Sequence, residues 1–206
     1  MIRAIAFDWG GIFTRGTFDS HAVENLTALT RLDPDLVASV YFPLLEEFEI
    51  GAFDLGGFAD RFVKGTGTQE DEERIAATFL ASGRERAEMY DILAAIPEQY
   101  TVGMLSNNVP ALCDQVRSEP RMDRIEHFVF SNEIGVRKPD AAAFAALTRA
   151  ISVPPEETVF IDDNEANVAA ARDLGFHAIL LDTMPHFFEQ WRALLPDVPI
   201  PEEAPA

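Results

Sequence analysis

Three apolar runs of this chain each end in polar residues at the point where a helical pattern or a tight turn begins. This recurrence restricts the fold more than any other feature. Ile2–Phe7 runs into Asp8, Thr101–Leu105 into Ser106-Asn107-Asn108, and Thr158–Ile161 into Asp162-Asp163. Short apolar runs bounded by turn residues read as buried strands. Two further strands are expected at His127–Phe130 and His177–Leu181. Helical patterns at Val109–Val116, Ala141 to about Ala150, Ala166–Leu174 and Phe187–Leu194 alternate with them. Such alternation predicts an α/β fold with a doubly wound parallel sheet. Ligands of these sheets bind at the carboxyl ends of the strands. Asp8, Ser106, Asp162 and Asp163 are therefore expected on one rim, with Lys138 in a loop nearby.

The first two strands are separated by a long stretch of helical periodicity, from His21 to about Leu93. Val23, Leu26, Leu29 and Leu32 form one stripe, Leu44, Leu45 and Phe48 another, and Phe58, Phe62 and Val63 a third. Glycines at Gly51, Gly56-Gly57 and Gly65–Gly67 are expected to break the helices. No strand pattern interrupts the stretch. The expected organisation is a Rossmann-like core over 1–14 and 95–195, an all-helical cap over 15–94, and a loose tail over 196–206. Phe42, Phe48, Phe53 and Phe58 are candidates to line a pocket in the cap, although aromatic residues at helical spacing more often pack a core.

Composition narrows the partners. The chain has 206 residues and a formal net charge of -19, which disfavours nucleic acid and anionic membranes as partners. It carries no apolar run of the ~20 residues needed to cross a bilayer, and no secretory leader pattern. The one cysteine, Cys113, has no internal partner. These features lead to the expectation of a soluble, cytoplasmic monomer or homodimer. Lysine occurs only at Lys64 and Lys138.

Two or three carboxylates on one rim repel each other unless a cation sits among them, and oxygen-only ligation suits Mg²⁺. A carboxylate can also act as a nucleophile and form an acyl phosphate. A Ser hydroxyl, backbone N–H groups and a Lys ammonium would hold phosphate oxygens and offset developing charge. Taken singly, each group has a plainer reading: Asp and Ser cap helices and turns, and Lys138 could be a solvated loop charge. Together they are coherent for Mg²⁺-dependent phosphoryl transfer to water.

The ordered segments "AIAFDWGGIFT", "TVGMLSNN", "SNEIGVRKPDAAAF" and "TVFIDDNEANVAAARDLG" resemble the four motifs of the haloacid dehalogenase-like hydrolase superfamily. The resemblance extends from about residue 2 to 182, and "EFEIGAFDLGGFADRF" is similar to a segment of the family's cap. It implies that Asp8 is the nucleophile, that Ser106 holds the phosphoryl oxygens, and that Lys138 stabilises charge on both. It also implies that Asp163 ligates Mg²⁺, that Asp162 does so directly or through water, and that Asp8 and the Gly10 carbonyl complete the protein's ligands. Asn107 would add a hydrogen bond to phosphate, and Asn167 would brace the loop.

Gly10 departs from the family's pattern. Most of its phosphatases place there a second aspartate that moves protons to the leaving group and from the attacking water. Asp19 and His21, just past the turn, are speculative substitutes. The pattern is most similar to α-D-glucose-1-phosphate phosphatases and the N-terminal phosphatase domain of soluble epoxide hydrolase. It implies a phosphatase for a small phosphorylated metabolite such as a sugar phosphate. Two alternatives stay open: a protein of this family that binds a ligand without turnover, and a C–P or C–halogen hydrolase. The phosphonate reading would need Lys64 as a Schiff-base lysine.

Overall fold

The computed structural model describes residues 1–16 and 18–200. Five strands form one parallel sheet: β1 Ala4–Phe7, β2 Thr101–Ser106, β3 His127–Phe130, β4 Thr158–Asp162 and β5 His177–Leu180, in the order β3-β2-β1-β4-β5. β1 lies at the centre, paired with β2 on one side and β4 on the other, Phe7 facing Met104 and Ile161. The chain thus winds outward in both directions from β1. This opens a crevice at the carboxyl ends of β1 and β4, the position where such sheets bind ligands.

Alternation along the strands divides the core. Ile5 and Phe7 point into one layer with Met104 and Ile161, and Ala4 and Ala6 into the other with Phe160 and Leu105. The first layer is covered by α5 (Ala87–Ala94), α6 (Pro110–Ser118) and α10 (Met184–Leu194), the second by α8 (Ala141–Ile151) and α9 (Glu165–Asp173). A single helical turn, α7 (Ser131–Ile134), follows β3.

Four helices form the insertion: α1 Phe18–Thr30, α2 Pro34–Glu49, α3 Leu55–Thr66 and α4 Glu72–Leu80. They bury a core of their own that includes Tyr41, Phe48, Phe58, Phe62 and Phe79, and Val109 and Leu112 at the start of α6 join it. The cap therefore docks on the helix that leaves β2. Two chain segments tie it to the core side by side: Arg15 N–H donates to the Arg84 carbonyl (2.6 Å) and Arg86 N–H to that of Phe13 (2.8 Å).

Packing differs from the sequence expectation in three places. The expected cap boundary at residue 94 takes in α5, yet Met89, Ile92 and Leu93 bury themselves in the layer beside the sheet. Gly56, Gly57 and Gly65 do not break a helix but lie within α3. The Asp54 side chain caps its first turn by accepting from Gly57 N–H at 2.8 Å, and a Cβ on Gly65 would approach Val40 to 2.7 Å, so α2 and α3 cross closely there. In the segment expected to be a loose tail, Val198 is buried and its carbonyl accepts from Trp191 Nε1 at 3.3 Å. Residues 201–206 of that segment lie outside the described residues. Among the described residues no helix is long and apolar enough to cross a membrane.

Candidate active site

Asp8 follows β1 directly, and its backbone N–H still donates to the Ile161 carbonyl of β4 at 2.8 Å. The sheet ladder thus positions the carboxylate at the crevice. Its Oδ1 accepts from Trp9 N–H at 2.7 Å and lies 3.0 Å from Lys138 Nζ. Lys138 Nζ also donates to Asp162 Oδ2 at 2.6 Å, and both side chains are fully buried. One ammonium therefore bridges the ends of two adjacent strands.

The Asp162 carboxylate is saturated within the protein. Besides Lys138 it accepts from Asn164 N–H at 2.8 Å and from Asn167 Nδ2 at 3.1 and 3.2 Å. Asn167 braces the loop by holding this carboxylate. Asn164 caps α9, accepting from Ala166 N–H at 2.9 Å. Asp163, one residue on, is only partly buried and turns toward the cavity.

Asp8, Asp162 and Asp163 each offer an oxygen within 4.8 Å of the others. Three carboxylates there face one ammonium, so the cluster keeps an excess of negative charge. Burial, then repulsion from Asp162 and Asp163, pushes Asp8 up to about 7 against the pull of Lys138. Burial and Asp162 raise Asp163 to about 6. The donors are all hard oxygens, and a divalent cation would relieve the repulsion, so the residues present fit Mg²⁺. Gly10 lines the same cavity.

Ser106 ends β2 and is buried, and its Oγ makes a single long contact of 3.5 Å to the Asn107 carbonyl. Asn107 takes a part the sequence did not reveal. Its Oδ1 accepts from Lys138 N–H at 2.8 Å and its Nδ2 donates to the Lys138 carbonyl at 3.0 Å. The amide clamps the lysine's backbone, and the residue also lines the cavity, with a second Nδ2 hydrogen left to donate.

The cavity between sheet and cap measures about 190 Å³. Asp8, Asp163, Asp19, Glu49 and Arg137 supply charge to its wall, and Trp9, Phe18, Leu45 and Phe79 supply apolar surface. Trp9 of the core meets Phe18 of the cap with ring centroids 6.0 Å apart. None of the aromatic candidates of the cap lines it. Phe48 and Phe58 are buried in the cap's own core, Phe42 is exposed, and Phe53 stacks on Phe48. Asp19 does reach the cavity, where its Oδ1 accepts from Tyr41 Oη at 3.0 Å. His21 instead bonds the Arg15 carbonyl through Nε2 at 2.7 Å. Lys64 lies exposed on α3, paired with Asp60 at 2.6 Å, and does not line the cavity, which removes the footing for a Schiff-base lysine.

Sequence reasoning missed Glu49, Arg137 and Arg86. Arg86 donates to the Gly11 carbonyl at 3.2 Å and to that of Thr14 at 3.3 Å, bracing the turn after Asp8. Arg137 stood in the quoted "GVRKPD" segment and Glu49 in the cap segment. Only folding brings them together, with Arg137 Nη2 and Glu49 Oε2 2.9 Å apart.

The chain is 27% identical over 186 residues, 85% of its own length and 90% of the relative's, to a D-ribitol-5-phosphate phosphatase of Bacteroides thetaiotaomicron. A HAD-like hydrolase from Porphyromonas gingivalis superposes with a TM-score of 0.76 at 25% identity, covering 93% of this chain and 98% of that one. A HAD family enzyme of Bacteroides thetaiotaomicron, solved with magnesium and inorganic phosphate, shares the fold with a TM-score of 0.76 at 23% identity, over 91% and 100% of the two chains. The family model for haloacid dehalogenase-like hydrolases matches residues 2–175, and the chain belongs to that family.

Proposed function

We propose that this protein is a Mg²⁺-dependent phosphatase that hydrolyses a small phosphorylated metabolite of the sugar-phosphate class through an aspartyl-phosphate on Asp8. The observation that carries the reading is the shared position of Asp8 and Asp162 across Lys138 at the crevice between β1 and β4. Asp163 stands beside them, within reach of the same cation. The relative named for D-ribitol-5-phosphate supports the substrate class. The relative of like fold solved with magnesium and phosphate supports the cofactor.

Asp8 and Asp163, with the Gly10 carbonyl, would hold Mg²⁺, which when bound supplies charge neutralisation for a dianionic phosphoryl group. The chain's own residues do the rest. Asp8 attacks phosphorus from a carboxylate kept in place by Trp9 N–H. Lys138, pinned by Asp162 and by the Asn107 clamp, offsets charge on the nucleophile and the transferring oxygens. The Ser106 hydroxyl, weakly engaged in the protein, can donate to a phosphoryl oxygen. The cavity admits a small leaving group and is walled by both apolar rings and hydrogen-bonding groups, as a polyol requires.

The test is phosphate release from a panel of sugar and alditol phosphates. Activity is expected with Mg²⁺, and excess EDTA or Asp8→Asn is expected to abolish it. Turnover that survives either treatment would refute the mechanism.

A further inference from the structure

Gly10 leaves the site without a side chain that can carry a proton at the position two residues after the nucleophile. The space is open: a Cβ on Gly10 would meet nothing within 4 Å. Protonation of an alkoxide leaving group is typically worth ~10²–10⁴-fold in rate, so a phosphatase acting on unactivated esters needs another donor.

The cavity wall holds two acids from the cap, Asp19 and Glu49. Asp19 is engaged by the Tyr41 hydroxyl. Glu49 is different in three ways. It is only 6% exposed, yet among the described residues its Oε2 has no hydrogen-bond partner. Arg137 Nη2 lies 2.9 Å from that oxygen but without the alignment of a hydrogen bond, and it sits beside a second acid, Glu46, 2.9 Å from Arg137 Nη1. Finally, Glu49 is bolted to the core. The Ser131 hydroxyl donates to the Glu49 carbonyl at 2.5 Å and itself accepts from Asn108 N–H at 3.0 Å. Asn108 follows β2 and Ser131 follows β3, so the rim of the sheet sets the height of this cap residue over the crevice.

On the phosphatase reading above, we propose that Glu49 is the proton donor and acceptor that Gly10 cannot be. In the first step Asp8 Oδ bonds to phosphorus, the P–O bond to the leaving group breaks, and the Glu49 proton passes to the departing oxygen. In the second, water attacks phosphorus, its proton returns to Glu49, and Asp8 leaves as a carboxylate. Ester and water are consumed, alcohol and phosphate are formed, and both side chains end as they began. Burial first, with Asp19 and Asp8 adding to it against the pull of Arg137 and Lys138, holds Glu49 up to about 8, so it enters the first step protonated at neutral pH.

The test separates proton transfer from structural support by the leaving group. First-step rates are measured by rapid mixing with Mg²⁺ for the wild type, Glu49→Gln, Asp19→Asn and Glu49→Gln/Gly10→Asp. The two substrates are p-nitrophenyl phosphate, whose phenolate departs without protonation, and an alditol phosphate. Glu49→Gln is expected to slow the alditol phosphate by ~10²-fold or more while changing the p-nitrophenolate burst by less than about threefold. The double variant is expected to regain at least about tenfold on the alditol phosphate, because the open space at Gly10 accepts a carboxylate. Equal losses on both substrates, no loss on either, or a leaving-group-dependent loss in Asp19→Asn instead would overturn the assignment to Glu49. A Glu49→Gln protein that does not fold is replaced by Ser131→Ala, which is expected to slow the alditol phosphate selectively by misplacing Glu49; equal slowing of both would overturn it. Wild-type protein that releases phosphate from neither substrate overturns the phosphatase reading and this proposal together.

Discussion

Gly11 approaches Asp163 so closely that a Cβ on Gly11 would lie 1.9 Å from Asp163 Oδ2. Gly11 also has a φ of +73°, and its N–H donates to Thr14 Oγ1 at 2.8 Å. The turn after Asp8 therefore needs glycine at this position for two independent reasons, one conformational and one steric. Its neighbour Gly10 has neither constraint.

The two glycines should thus respond oppositely to substitution. Gly11→Ala is expected to displace Asp163 and weaken Mg²⁺ binding by about tenfold or more. Gly10→Ala is expected to leave Mg²⁺ affinity within about twofold and the melting temperature within ~4 °C, since the ~0.5–1 kcal/mol scale of a glycine effect is small for a chain of this size. Calorimetric titration with Mg²⁺ and thermal melts of both variants check this.

On the proposed function, Lys138 should couple catalysis to stability. Removing it strands Asp162 as a fully buried carboxylate with only its amide partners. Breaking a buried ion pair costs ~3–5 kcal/mol, and each kcal/mol lowers the melting temperature by ~2–4 °C in proteins of this size. Lys138→Met should therefore melt roughly 6–20 °C lower and lose activity by ~10³-fold or more. Lys138→Met/Asp162→Asn should recover at least about half of the lost stability and none of the activity. Thermal melts and a phosphatase assay on both variants decide it.

Mg²⁺ affinity should depend on pH through Asp8 and Asp163. Their folded values, about 7 and about 6, stand above the ordinary carboxylate value of 3.8. A raised carboxylate retains its proton to higher pH, so below these values a cation must displace protons to bind. Affinity is expected to fall by about tenfold or more per pH unit as pH drops from 6 to 5, and to level off above about 8. Titrations between pH 5 and 8.5 in non-chelating buffers measure the slope.

Glu49 should leave a pH signature on stability. Its folded value of about 8 exceeds the ordinary 4.5, so the folded state binds its proton more tightly than the unfolded state. That contribution is present below about 4.5 and is lost as pH rises toward about 8. Glu49→Gln carries no such dependence at this position. The melting temperature of Glu49→Gln relative to wild type is expected to rise steadily between pH 5 and 8, by ~2–4 °C for each kcal/mol of linkage. Scanning fluorimetry across that range, without Mg²⁺, reads it directly.

The strand ends were legible because the chemistry there is local. Asp8, Ser106 and Asp162-Asp163 each follow an apolar run at once, and a parallel sheet must bring such ends to one edge. The helical character of the insertion was legible for the same reason, since periodicity is written within a few turns of chain. By itself the sequence determined the α/β class, the rim that carries the carboxylates, and the absence of a side chain at Gly10. Only the tertiary structure decided which groups face them. Asn107 turned to clamp Lys138 across a separation of 31 residues. Gly65 proved to be a helix-crossing contact, not a break, because Val40 of another helix fills the space beside it. The pocket's rings are Trp9, Phe18 and Phe79, while Phe48, Phe58 and Phe62 are buried in the cap's own core. Glu49 reads in the chain as one acid among many on an amphipathic helix. It becomes special because Ser131, 82 residues away, fixes its backbone over the crevice. Contacts between distant segments depend on how whole layers pack, and no short window of sequence contains that information.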